Sequence, residues 1–298
     1  MKQIRSYIPQ YLLRLHEADW HCQCPTCQQD YPFVIIDWQD QRRYSASLSC
    51  ERVAQDILFN ADAFVLHSAE EMSAAAWQPN QLQQKINQGC INLAISDAGD
   101  IPVKLYAIGI YINQMMKLSA DDVAQITRCG EEFSRLLAQG ALAEHFDLLP
   151  VISKYKLQAV RALSATRLDT TLDARAGMAL SLKLNEFTVL ADNYLEQNLT
   201  ALDQDAQLAT FMQQHRQLWQ NFILYRCYHH LFPLNSQDAF LALCGDVYLL
   251  KILCGLLIQS EIELDEVRIS ALFAAMERQP VRLTCDADML LVGLSLLK

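Results

Sequence analysis

With 52% hydrophobic residues over 298 positions, the chain has ample apolar material for an ordered globular core, as one large domain or two small ones. A net charge of −10 leaves no basic stripe to neutralise phosphates, which argues against a nucleic-acid binder, while an acidic surface suits either a lysine-rich partner or solubility alone. Met1-Lys2-Gln3-Ile4-Arg5 runs into Tyr7, Pro9, Gln10 and Arg14 and not into an apolar signal core, so a cytoplasmic, reducing setting is expected, in which ten cysteines are not a disulfide framework.

In chain order, Tyr11 to His16 after Pro9 reads as a short helix or an extended lead-in. Phe33 to Trp38 and Arg43 to Leu48 are β-favouring runs either side of the polar Gln39-Asp40-Gln41-Arg42, which predicts a hairpin. From Cys50 the period changes: Val53, Ala54, Ile57 and Leu58 make a helical stripe. Residues 73–100 read as loops around a short helix at Gln81 to Gln88. A helix is expected from Pro102 to Met116, with proline in its first turn, where a missing N–H does no harm. Ser119-Ala120-Asp121-Asp122 resembles a capping signal for a helix that reaches Ala138 and is stopped by Gly140.

Helices follow at Ala141 to Phe146, at Val151 to Ala165, and from about Leu172 to Asn198, where Phe187, Leu190, Ala191, Tyr194 and Leu195 share a face. Leu208, Phe211, Met212, His215, Leu218, Trp219, Phe222 and Ile223 recur at spacings of three and four, which predicts one uninterrupted helix across the core with His215 hydrogen-bonded inside it. It ends near Leu231-Phe232-Pro233. Asn235-Ser236 then opens a strongly apolar helix to Ile258, in which Asp246 and Lys251 argue for a buried core helix and against a membrane span. Helices at about Ile262 to Glu277 and Asp286 to Leu297 complete the chain. The expected fold is mainly α: an irregular helical domain over residues 61–298, preceded by a small cysteine-bearing β-hairpin module over residues 1–60.

One stretch carries chemistry. His21-Cys22-Gln23-Cys24-Pro25-Thr26-Cys27 places three cysteines within six residues, and Cys50 follows after the hairpin, which can return its sulfur beside the first three. Four thiolates at Cys22, Cys24, Cys27 and Cys50 suit a [4Fe–4S] cluster or a tetrahedral zinc ion; a site without metal is the third alternative, and His21 is either a replacement ligand or a polar neighbour. Cys90, Cys129, Cys227, Cys244, Cys254 and Cys285 are scattered and read as packing residues. Nine glycines form no dinucleotide fingerprint and no radical-type cysteine triplet is present, so the sequence does not place a nucleotide-like cofactor.

Two stretches resemble the flagellin lysine-N-methylase family. Thr26-Cys27-Gln28-Gln29-Asp30-Tyr31-Pro32, the hairpin, and Ser45-Ala46-Ser47-Leu48-Ser49-Cys50-Glu51-Arg52-Val53-Ala54 are similar to its cysteine region. Asn221-Phe222-Ile223-Leu224-Tyr225-Arg226-Cys227-Tyr228-His229-His230-Leu231-Phe232-Pro233 resembles its Asn-aromatic helix ending in Leu-Phe-Pro, and Ile8-Pro9-Gln10-Tyr11 its lead-in. The resemblance runs from about Cys27 to the C-terminus. It departs from the family in a shortened N-terminal cysteine region: Cys27 and Cys50 match family positions, whereas Cys22 and Cys24 have no counterpart there.

The resemblance implies methyl transfer from S-adenosylmethionine to lysine side chains of flagellin, in a family with an iron–sulfur cluster on its cysteines. Transfer needs a neutral amine, and Tyr225, Tyr228, Asp192, Tyr194 and Glu186 are candidate helpers, each with an ordinary core or surface role as its alternative. His229-His230 are either pocket-lining groups or a positive complement to a helix end. Two non-enzymatic readings stand beside the methylase: a shortened relative that binds flagellin without catalysis, and a zinc-stabilised helical interaction protein.

Overall fold

A computed structural model describes residues 2–18, 22–29, 32–38, 40–73, 81–118, 122–234, 236–284 and 287–298. The N-terminal quarter builds a four-stranded mixed sheet. Strand β1 (Lys2–Pro9) runs into helix α1 (Gln10–Glu17), so Pro9 ends a strand and opens a helix, joining the two conformations that sequence left as alternatives. After the short α2 (Pro25–Gln29), β2 (Phe33–Trp38) and β3 (Gln41–Ala46) form the expected antiparallel hairpin, with Phe33 opposite Ala46 and Trp38 opposite Gln41. Helix α3 (Glu51–Phe59) buries the stripe Val53, Ala54, Ile57 and Leu58.

Strand β4 (Leu66–Ser73) was not anticipated. It pairs antiparallel with β1, which pairs parallel with β3, giving the order β2-β3-β1-β4. The boundary expected at residue 60 therefore falls inside the sheet, and Tyr11, Leu48 and Ile57 share one buried core with Trp219, Leu253 and Leu296.

The body is helical: α4 (Gln81–Ile95), longer than the helix expected there, α5 (Ile101–Met115), α6 (Val123–Ala138), α7 (Ala141–Asp147) and α8 (Ser153–Ala165). Asp100 caps α5 by accepting the Val103 amide at 3.0 Å, and Gly140 takes the positive φ (78°) that separates α6 from α7. Residues 119–121 of the expected cap on α6 lie outside the described residues, as does the turn residue at 235.

Two long helices expected from periodicity are each divided. Residues 174–203 form α9 (Ala174–Val189) and α10 (Asp192–Asp203), with Leu190 and Ala191 extended between them. The Arg161 guanidinium fixes this break by donating to the carbonyls of Phe187 and Leu190 and pairing with Asp192. The stripe through Ile223 is likewise divided into α11 (Ala206–Gln214) and α12 (Arg216–Tyr228), with His215 at φ −100° and ψ 30° as the joint. Its ring packs on Phe59 and Phe211 instead of being a hydrogen-bonded core group, and burial lowers its pKa.

Helix α13 (Ser236–Gln259) crosses the core, and α14 (Glu266–Arg278) and α15 (Met289–Leu297) flank it. Among the described residues α13 is the one helix long and apolar enough to cross a membrane, but 83% of its apolar window is buried inside the protein. Asp246 is covered beside Arg226 at 3.4 Å, and Lys251 reaches out of the apolar layer to Asp203 at 2.6 Å.

Candidate metal centre and its polar surroundings

The lead-in to α2, α2 itself and the N-terminus of α3 bring the four expected cysteines together. The sulfurs of Cys22, Cys24, Cys27 and Cys50 all lie within 4.8 Å of one another, with Cys27 Sγ 3.4 Å and Cys22 Sγ 3.7 Å from Cys50 Sγ. Cys24 and Cys50 are buried, and Cys22 and Cys27 are half-buried. Cys50 is the N-cap of α3; its sulfur makes no capping hydrogen bond, but the Val53 N–H nearby favours the thiolate.

Burial opposes ionisation at Cys24, Cys27 and Cys50, with unequal results. At Cys24, donation from the Cys27 and Glu51 amides and from neighbouring thiols overcomes burial, and the pKa falls below the ordinary thiol value. At Cys27 burial dominates and the pKa is pushed up to about 12; Cys50 is pushed up as well. The surroundings thus favour the charged form at Cys24 and disfavour it at Cys27 and Cys50. His21 lies outside the described residues, as does Cys285. Cys90, Cys227, Cys244 and Cys254 are buried apart from the cluster, in the packing role expected of them.

The loop carrying Cys50 is held from both ends of the chain. The Ser49 carbonyl accepts Thr26 Oγ1 at 2.9 Å and Arg278 Nη1 at 2.8 Å, while Arg278 also lies 3.5 Å from Glu51. A cleft of about 600 Å³ opens beside Cys22 and Cys24, lined also by Glu51, Arg52, Gln55 and Ser270. The Ser270 hydroxyl is buried and makes no hydrogen bond.

Helix α12 and its C-cap residue His229 support this region with four polar side chains spaced to reach one side. Asn221 donates to the carbonyls of Ile57 (2.8 Å) and Asn60 (2.9 Å) and so caps the C-terminal end of α3. Tyr225 accepts the Leu48 amide at 3.0 Å and donates to Glu277 at 3.0 Å. Tyr228 donates to the carbonyls of Tyr7 (2.9 Å) and Tyr44 (3.2 Å), tying β1 to β3. His229 Nδ1 meets Ser45 Oγ at 2.8 Å, and Ser45 meets Tyr11 at 2.9 Å. In the opposite direction, Arg43 of β3 reaches the C-terminal end of α12. It stacks on Trp38 and Tyr228 and donates to the carbonyls of Cys227 and Tyr228 and to Asn87, which itself caps Cys227 and Phe232.

The carboxylate at the centre of this network is Glu277. Burial would raise its pKa, but His230 at 2.7 Å and Arg226 at 3.4 Å hold it down to about 2. His230 leans on Glu277 with 38% of its side chain open to solvent, while burial keeps the His229 ring neutral, with its pKa lowered to about 4. Three of the five helper residues expected from sequence stand elsewhere: Asp192 pairs with Arg161, Glu186 with Lys183, and Tyr194 is exposed. Tyr225 and Tyr228 belong to the network. Glu277, Arg278 and Ser45 were not singled out from sequence; their partners are far away in the chain, and no local pattern marks them.

Residues 87–279, nearly two thirds of the chain, match the family model described as the FliB lysine N-methylase C-terminal domain, a span that holds α12 and Glu277 but not the four cysteines. No curated protein and no solved structure matches the chain.

Proposed function

The chain belongs to the FliB lysine N-methylase family, and from that premise we propose that it transfers methyl groups from S-adenosylmethionine to lysine side chains of flagellin, in the cytoplasm before export. The observation that carries this reading is the family match over residues 87–279. The acidic surface, at net charge −10, complements a substrate presented through its lysines.

The acceptor amine must lose a proton before it attacks the methyl group. His230 is the group best placed to take that proton: Glu277 is held ionised behind it at 2.7 Å and orients the ring, and the ring edge reaches solvent. When bound, S-adenosylmethionine supplies the electrophilic methyl group; this chain's residues position the amine and accept its proton.

The test is incubation of the full chain with flagellin and S-adenosylmethionine, followed by peptide mass spectrometry. Mass gains in methyl steps on lysine peptides are expected, and replacing His230 by Gln should slow the reaction by roughly 10²-fold or more while the protein stays folded. Flagellin capture by a folded, metal-loaded chain without any mass gain overturns the enzymatic reading in favour of the binding one.

A further inference from the structure

We infer that the four cysteines form a closed tetrahedral site for one thiolate-bound metal ion of the zinc class, and that this ion is a structural staple of the N-terminal module. The separations decide between the occupants expected from sequence. Four thiolates about 2.3 Å from a single zinc stand about 3.8 Å apart at the corners of a tetrahedron. The pairs at 3.4 and 3.7 Å, with none beyond 4.8 Å, have that scale. In a four-iron cubane each thiolate binds a different iron, which spreads the sulfurs to roughly 6 Å, and a two-iron core likewise sets two pairs of sulfurs on opposite irons. The iron–sulfur cluster implied by the family resemblance does not fit this spacing.

The surroundings agree with a compact ion. Amides of Cys27, Glu51 and Val53 face the sulfurs of Cys24 and Cys50, the outer contacts that orient thiolate ligands. With four protein ligands no coordination position is open, and closed tetrathiolate sites are structural. The ion would join α2 to the N-terminus of α3 across the hairpin, closing the loop from Cys22 to Cys50 and fixing the carbonyl of Ser49 where Thr26 and Arg278 reach it.

The experiment uses the full chain purified without oxygen, with zinc, iron and acid-labile sulfide measured beside the visible spectrum, and X-ray absorption at the metal edge. One zinc per chain, a colourless protein and a single shell of four sulfurs are the expected result. Replacement by cobalt should then give the intense visible bands of a tetrahedral thiolate site, and Cys50→Ser should abolish them. Because that variant could fail to fold, the absorption edge of the unaltered protein is the deciding measurement. Iron and sulfide in the amounts of a cubane, or a folded chain with four free thiols and no affinity for zinc, overturns the inference. None of these readouts depends on methyl transfer, so a failure of the methylase reading would be seen separately.

Discussion

Helices α12 and α13 lie next to each other in sequence and are both deeply buried, yet they hold the molecule together in different ways. Helix α13 is apolar around most of its circumference: Leu243, Leu249, Leu250, Ile252, Leu253 and Leu257 have no exposure at all. Packing of that kind stabilises strongly but specifies orientation only through shape. Helix α12 and its C-cap residue spend one face on directed hydrogen bonds, with Asn221, Tyr225, Tyr228 and His229 each meeting a different backbone or hydroxyl group of the N-terminal module. The apolar helix makes the core; the polar face states where the sheet and the cysteine loop must sit upon it.

Three substitutions would break or sharpen that contrast. Leu253→Ala in α13 should have the largest effect, about 2–5 kcal/mol of global stability, seen as a lower denaturation midpoint. Because it acts on the whole core, exchange protection should fall in module and body alike. Asn221→Ala in α12 should cost about 1–3 kcal/mol, since the carbonyls at the end of α3 lose their donor. Its loss should be local, with faster hydrogen exchange in α3 and the adjoining loop while α13 and α15 keep their protection. Equal losses in both regions after Asn221→Ala would remove the distinction.

The third effect is a pH dependence. The pKa of His229 in the fold is lowered to about 4 from 6.5, so the unfolded chain takes up a proton that the folded chain refuses. Its contribution is complete above pH 6.5 and is lost as the pH falls towards 4, a change of roughly 2 kcal/mol after allowance for the partly open ring. Asp246 works in the opposite direction: burial raises its pKa to about 6, so the fold gains stability as the pH drops from 6 towards 3.8. Urea midpoints across this range should therefore fall less steeply for His229→Gln than for the unaltered chain, and identical slopes would show that the ring is not held neutral.

Much of this architecture is written locally. The hairpin, the stripe of α3 and the start of α5 at Asp100-Ile101-Pro102 follow from period, cap and proline, and the cysteine spacing picks out the four sulfurs that the fold brings together. What escaped is decided at a distance. Strand β4 is exposed along almost its whole length and shows no apolar alternation; its partner β1 defines it through the backbone. The breaks at Leu190 and His215 carry neither glycine nor proline, and the first is imposed by Arg161 from another helix. The resemblance pointed to the right helix in α12, but the reason for its asparagine, a cap on α3 more than 160 residues earlier, needs the fold.

The Arg278 contact to Ser49 spans 229 residues and sets an order of assembly. At about 5–20 residues per second, the cysteine loop leaves the ribosome roughly 10–50 seconds before its arginine partner is made. All four thiols, by contrast, lie within the first fifty residues and can find one another without waiting. A metal ion bound there, as inferred above, would let the loop take shape first around its own sulfurs, with α14 arriving later to lock a form already present.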